Sequence, residues 1–157
     1  NAFDETFIRD LQKIIQTTDH LIYVTFHLVQ DKRILIKIIT ETKTAIANCI
    51  NAILQYEYLH HRIRLCKDAK TNFQTFIRKC AQKYEITPNE INSILNLFEL
   101  VEKQKQSTAE FMRNENVVLM SKNLKTETID LEKTKEFLQL SKNILEKTIR
   151  TIRIQRR

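Results

Sequence analysis

The residue types able to ligate a metal or act as nucleophiles are four histidines (His20, His27, His60, His61) and three cysteines (Cys49, Cys66, Cys80). His20 and His27 stand two helical turns apart, about 10 Å along the axis. One ion cannot bridge them, because helical ligand pairs sit at i, i+3 or i, i+4. Glu57 and His61 have the i, i+4 spacing, with Cys66 downstream, but a metal centre needs three or four converging ligands. The histidines therefore read as exposed or core-lining side chains. Cys49 falls on an apolar seam and reads as a small buried hydrophobe. Cys66 has Arg62, Arg64 and Lys67 around it, cations of the kind that favour a thiolate, with His60 and His61 nearby. No oxyanion donor or orienting residue accompanies that group. The expectation is no catalytic residue, no metal and no cofactor.

Two stretches suit binding better than catalysis. Lys37, Glu41, Thr44, Asn48, Asn51, Gln55, Tyr58 and Arg62 recur at alternating four- and three-residue spacing, which aligns them on one helix face. The middle of that row is amide-rich and uncharged, unlike the Lys- and Glu-bearing face of a solvated helix. Amides make paired hydrogen bonds to a partner helix, to backbone or to bases. Asn48, Asn51, Gln55, Tyr58 and Arg62 thus form either a semi-buried groove satisfied within the fold or a recognition surface. The other stretch is the C-terminal run carrying Lys147, Arg150, Arg153, Arg156 and Arg157 without an acid. It admits three readings. The cations complement a helix macrodipole, or track phosphates with salt-dependent affinity, or lie on an anionic membrane surface with Ile149, Ile152 and Ile154 inserted.

Composition limits what can surround these residues. The chain has 157 residues, one domain's worth, and is expected to form a single helical domain over 1–157. It contains no glycine, where an average usage of about 7% would give roughly eleven. Phosphate-cradling loops, dinucleotide-binding turns and nucleophile elbows all need glycine for close backbone approach or a sharp turn, and all three are excluded. With 42% hydrophobic and 29% charged residues, the chain has globular rather than disordered composition. Net charge is +7, from 26 Lys and Arg against 19 Asp and Glu. Without the five C-terminal cations 21 remain against 19, so the basic character belongs mainly to the tail. Three cysteines with no C-x-x-C spacing point to a reducing, cytoplasmic setting. No run of about 18 apolar residues offers a membrane span, and the start has no signal-peptide pattern. Asn1 and Ala2 read as a tag remnant.

The elements that must position these groups are helical. Phe3, Phe7, Leu11, Ile14, Ile15, Leu21, Ile22 and Leu28 predict a first helix from Asp4 to Leu28, although the β-branched run at 22–25 also suits a strand. Asp31 is a cap for a long second helix over Lys32 to Arg62. Ile38, Thr42, Ala45, Cys49, Ala52, Tyr56, Leu59 and Ile63 form its seam, with Leu35, Ile39, Ile46, Ile50 and Ile53 beside it. An apolar face that wide touches neighbours on two sides, making this the central element. After a polar break at 67–72, Phe73, Phe76, Ile77, Cys80 and Tyr84 mark a third helix. Thr87, Pro88 and Glu90 make a capping box with proline at the first helical position, stapled by Ile86 and Ile91. That box starts a fourth helix facing inward through Ile91, Ile94, Leu95, Phe98 and Val101. Val117–Met120 and Lys125–Ile129 predict a β-hairpin turning near Asn123, the residue there most tolerant of a left-handed conformation. The last helix begins near Thr128 or Asp130. The fold class expected is an all-α bundle of about five helices with a small hairpin insertion before the C-terminal helix.

Three stretches, Asp19–Thr25, Asn51–Tyr58 and Glu110–Arg113 with the hairpin after it, resemble a family of short, uncharacterised all-helical proteins from small-genome archaea. The architecture is also similar to HEPN helical bundles, a resemblance that implies RNA cleavage or nucleotide-binding partners. The catalytic signature of those bundles is Arg followed after four to six residues by His. None of the ten arginines here has a His at that spacing, so the resemblance implies a member without nuclease activity. The functional expectation is a non-enzymatic intracellular interaction module that self-associates or binds a protein partner. The alternative is an RNA-binding protein using the basic tail.

Overall fold

The computed structural model describes residues 4–156; Phe3, the Asn1–Ala2 pair and Arg157 lie outside them. The first helix, α1 (5–28), consists of Glu5–His20, a π-helical turn at Leu21–Thr25 and a last turn at Phe26–Leu28. The second, α2, is Lys32–Leu59. The third, α3 (69–80), is Ala69–Thr75 continued by a second π turn at Phe76–Cys80. Pro88–Gln106 is α4 and Leu131–Gln155 is α5. Between those two lie β1 (Ala109–Arg113), β2 (Asn116–Met120) and β3 (Thr126–Ile129).

All five helices start at a side-chain cap that accepts an otherwise orphaned backbone N–H. Asp4 accepts from Phe7, Asp31 from Arg33, Asp68 from Lys70 and Asp130 from Glu132 and Lys133. Thr87 and Glu90 close the capping box reciprocally at 3.1 and 3.0 Å. Glu90 also accepts Lys147 Nζ at 2.6 Å, so the start of α4 is clamped onto α5. As its periodicity requires, α2 is the hub, packing against α1, α3, α4 and α5. Its Leu35, Ile38, Ile39, Ile46 and Ile53 are fully buried. One apolar core draws on every helix and on the sheet.

Several expectations need correction. The fold is mainly helical rather than all-α, because the insertion is a three-stranded antiparallel sheet in the order β1-β2-β3. The expected hairpin is β2–β3, with Val118 opposite Thr128. A further strand, β1, pairs with β2 through Phe111 opposite Val118. The first helix does run to Leu28 as expected, and the strand alternative at 22–25 falls, since burial of Ile22 and Phe26 overrides the strand propensity. Helix α2 stops at Leu59 instead of Arg62, because His61 adopts φ 58°. The polar break at 67–72 is shorter than expected, since Asp68 starts α3 at Ala69. The inner face of α4 carries Ile94, Leu97, Leu100 and Val101, and Leu95 is exposed. Leu124, not Asn123, takes the left-handed conformation (φ 60°), as its N–H closes the turn on the Ser121 carbonyl at 3.0 Å.

Leu124 is 76% exposed, so its side chain adds little to offset a left-handed backbone that disfavours any Cβ by about 1–2 kcal/mol. Part of that gain returns as the greater chain entropy of glycine. Leu124→Gly should therefore stabilise the fold by about 0.5–1 kcal/mol. Chemical denaturation checks this, and a loss of stability would show that the turn depends on the leucine side chain.

Candidate functional site

The C-terminal end of α2 is where charged chemistry gathers. The helix closes with a Schellman motif: Arg62 N–H donates to the Glu57 carbonyl and His61 N–H to the Tyr58 carbonyl, both at 3.0 Å. That geometry requires a left-handed residue in the position glycine usually fills. His61 occupies it, and the chain then turns back so that Arg62 leaves the helical row to which its spacing assigned it.

Arg62 turns back toward Glu57. This carboxylate lies in the apolar stripe of α2, two turns beyond Ile50, and is only 2% exposed. Its Oε2 accepts Arg62 Nε, and its Oε1 accepts Lys83 Nζ at 2.7 Å and the Tyr84 hydroxyl at 2.8 Å. Arg62 Nη2 in turn donates to Gln155 Oε1 at 2.9 Å, which ties in the end of α5. Burial alone would raise the Glu57 pKa, but the donors from Arg62, Lys83 and Tyr84 outweigh it and hold the carboxyl below its usual range. Burial, with Glu57 beside it, pushes the Tyr84 hydroxyl up. Burial likewise raises the Cys80 thiol to about 11 and Cys49 to about 12.

Outside this hub the same turn forms a cleft of about 380 Å³ lined by His61, Arg62, Arg64, Thr75, Arg78 and Lys79, with Ile63. Arg64, Arg78 and Lys79 are exposed and make no ion pair with any described residue. Two of these cations, Arg78 and Lys79, project from the π turn of α3. No protein-family model, curated protein or solved structure matches this chain. The residues must therefore be read by their chemistry.

The C-terminal cations are differently disposed. Lys147 Nζ reaches Glu90 at 2.6 Å and the Glu85 carbonyl at 2.8 Å. Arg150 pairs with Glu85 at 2.6 Å and Arg153 with Glu5 at 3.8 Å. Arg156 is exposed in the α5 C-cap. The tail thus belongs to an amphipathic core helix, with Ile152 buried and three of its cations engaged with the body. The last residue of α5, Gln155, nevertheless lies beside the cleft, since it accepts from Arg62.

The row on α2 is open. Asn51, Gln55 and Tyr58 are exposed and Asn48 is half-buried, and none of the four side chains hydrogen-bonds a described residue. The semi-buried groove is not formed. All four histidines are exposed, and among the described residues no three His, Cys, Asp or Glu side chains converge as metal ligands. Glu57 points inward and His61 outward, so their spacing builds nothing. The Cys66 thiol meets the Asp68 carbonyl and Asn72 Oδ1 at 3.6 and 3.5 Å. His60 lies against Tyr56 with ring centroids 4.3 Å apart, so no thiol–imidazole pair is assembled. The three cysteines are unbridged. No described helix is long and apolar enough to cross a membrane.

Arg64, Arg78 and Lys79 were missed because they are scattered in sequence and belong to no periodic pattern. The Glu57 hub did carry a signal: a carboxylate interrupting an isoleucine stripe must find donors.

A carboxyl with a depressed folded pKa stabilises the fold above its unfolded value and loses that contribution as pH falls through the folded one. Glu57→Gln should cost about 1.5–3 kcal/mol near neutral pH. The cost should shrink below about pH 4.3, where the unfolded carboxyl protonates. Denaturation of both proteins across that range checks this. Parallel stability curves would mean that Glu57 is not the charged centre of the hub.

Proposed function

We propose that this chain is a non-enzymatic interaction module whose partner is RNA, bound electrostatically at the basic cleft. The observation that carries the reading is the convergence of Arg64, Arg78 and Lys79 on one open cleft without an acidic partner among the described residues. Cations already paired to carboxylates lose much of their attraction for phosphate, whereas unpaired ones release counterions on binding. Arg62 has a different role. Held by Glu57 and Gln155, it orients the 61–64 turn instead of being free to follow a ligand.

Affinity for RNA should fall steeply between about 50 and about 200 mM salt. Each phosphate-contacting cation removed should lower the logarithmic salt slope by about 1, so Arg64→Ala with Arg78→Ala should flatten it by roughly two such steps. Arg150→Ala, which removes a cation already paired with Glu85, should change it little. Fluorescence anisotropy reads these effects, and no binding by the unaltered protein at the lower salt would refute the reading.

A second reading, self-association or a protein partner, is favoured by a different observation. Tyr23, Val24, Leu28 and Val29 are all exposed around the α1–α2 turn, Leu28 to 80%. That turn is at the opposite end of α2 from the cleft. An apolar contact there should give a concentration-dependent mass that survives high salt, and Leu28→Glu should abolish it. Sedimentation velocity decides, and a mass constant with concentration would dismiss this surface.

A further inference from the structure

The cleft does not stand alone on its side of the molecule. Asn51, Gln55 and Tyr58 lead along the exposed face of α2 to His61, whose N–H is bonded to the Tyr58 carbonyl, and His61 lines the cleft. From Asn51 to Tyr58 the row runs about 10 Å along the helix axis. It carries no charge, offers amides that both donate and accept, and ends in an aromatic ring. Tyr58 is half exposed, at 50%, and its side chain makes no hydrogen bond or ring contact with a described residue. The other aromatics at this end are committed: Tyr56 lies under His60 and the Arg62 guanidinium, and Tyr84 is bonded to Glu57.

We propose that the RNA taken by this surface is single-stranded, with its phosphates at Arg64, Arg78 and Lys79 and unpaired bases on Tyr58, Gln55 and Asn51. The inference rests on the RNA-binding reading of the cleft and adds which form of RNA is held. In a duplex the bases are stacked and paired, and the deep, narrow major groove keeps their edges from side chains. Duplex binding would then rely on cations spread over both backbones, whereas the cleft gathers its cations at one end of the uncharged row of Asn51, Gln55 and Tyr58. A single strand needs only a phosphate track beside a stacking ring, because every base has a π face. The row's amides add hydrogen bonds to exposed base edges.

The test compares an unstructured oligouridylate with a duplex RNA of equal length, by anisotropy at low salt. It uses the unaltered protein, Tyr58→Ala, Tyr58→Phe and the Arg64→Ala/Arg78→Ala pair. The single strand should bind more tightly than the duplex. Tyr58→Ala should weaken the single strand by about 5- to 150-fold, the loss of one base–aromatic stack. It should leave the salt slope and the duplex affinity unchanged, while Tyr58→Phe keeps the ring and restores single-strand binding. The double arginine variant should instead weaken both RNAs and flatten the slope. Equal or tighter duplex binding, or indifference to Tyr58→Ala, overturns the single-strand proposal while the cleft reading stands. Failure of the unaltered protein to bind either RNA overturns both.

Discussion

A carboxylate buried in the apolar stripe of the central helix is the constraint around which one end of this molecule is arranged. Removing an unpaired charge from water costs several kcal/mol, so Glu57 is tolerable only with donors on both oxygens. They come from two separate segments, Arg62 from the turn after α2 and Lys83 and Tyr84 from the turn after α3, while Gln155 of α5 steadies the arginine. Bringing Arg62 back requires α2 to end where it does, with His61 left-handed. Presenting Tyr84 requires the segment after α3 to turn sharply, which it does by a second Schellman closure, Ile86 N–H to the Ala81 carbonyl and Glu85 N–H to that of Gln82. The cleft cations flank these turns, Arg64 just after the first and Arg78 and Lys79 just before the second. Their positions follow from the needs of a group they never touch.

Lack of glycine sharpens that arrangement. Among the described residues four positions need a left-handed backbone, and they are filled by His61, Glu85, Asn114 and Leu124. Two of these close helices and two turn strands. Helix packing, elsewhere eased by glycine, relies here on Ala45, Ala52 and Ser141 and on buried threonines. Thr42, Thr134 and Thr148 return their hydroxyls to the carbonyl four residues back, so small polar side chains enter the core without an unpaired donor.

Much of this was legible in the residues. The 4/3 spacing of α2 located the hub helix, and Thr87-Pro88-Asn89-Glu90 fixed the start of α4, because both signals are local and physical. The open amide row was found as a row, but its exposure was not, since periodicity reports which residues share a face and not what covers it. The β1 strand was missed because Ala109–Arg113 lacks β-branched residues and forms by pairing with β2. The cleft was invisible for a related reason. Residues 61–64 and 75–79 meet only after two helix ends have turned, and no pattern along the chain encodes that meeting.

Sequence separation in the Glu57 hub has a kinetic consequence. Arg62 and Gln155 are 93 residues apart, and α2 makes its broadest packing contact with α5, the whole sheet and two helices intervening. Most helical bundles fold rapidly because their contacts are local. Here the central helix has neither its main apolar partner nor the brace on its arginine until a long loop closes, an entropic cost that pairs of neighbouring helices avoid. Until then the α2 stripe is a long apolar surface with a carboxylate at one end. In the unfinished state that charge discourages the stripe from pairing with the wrong neighbour.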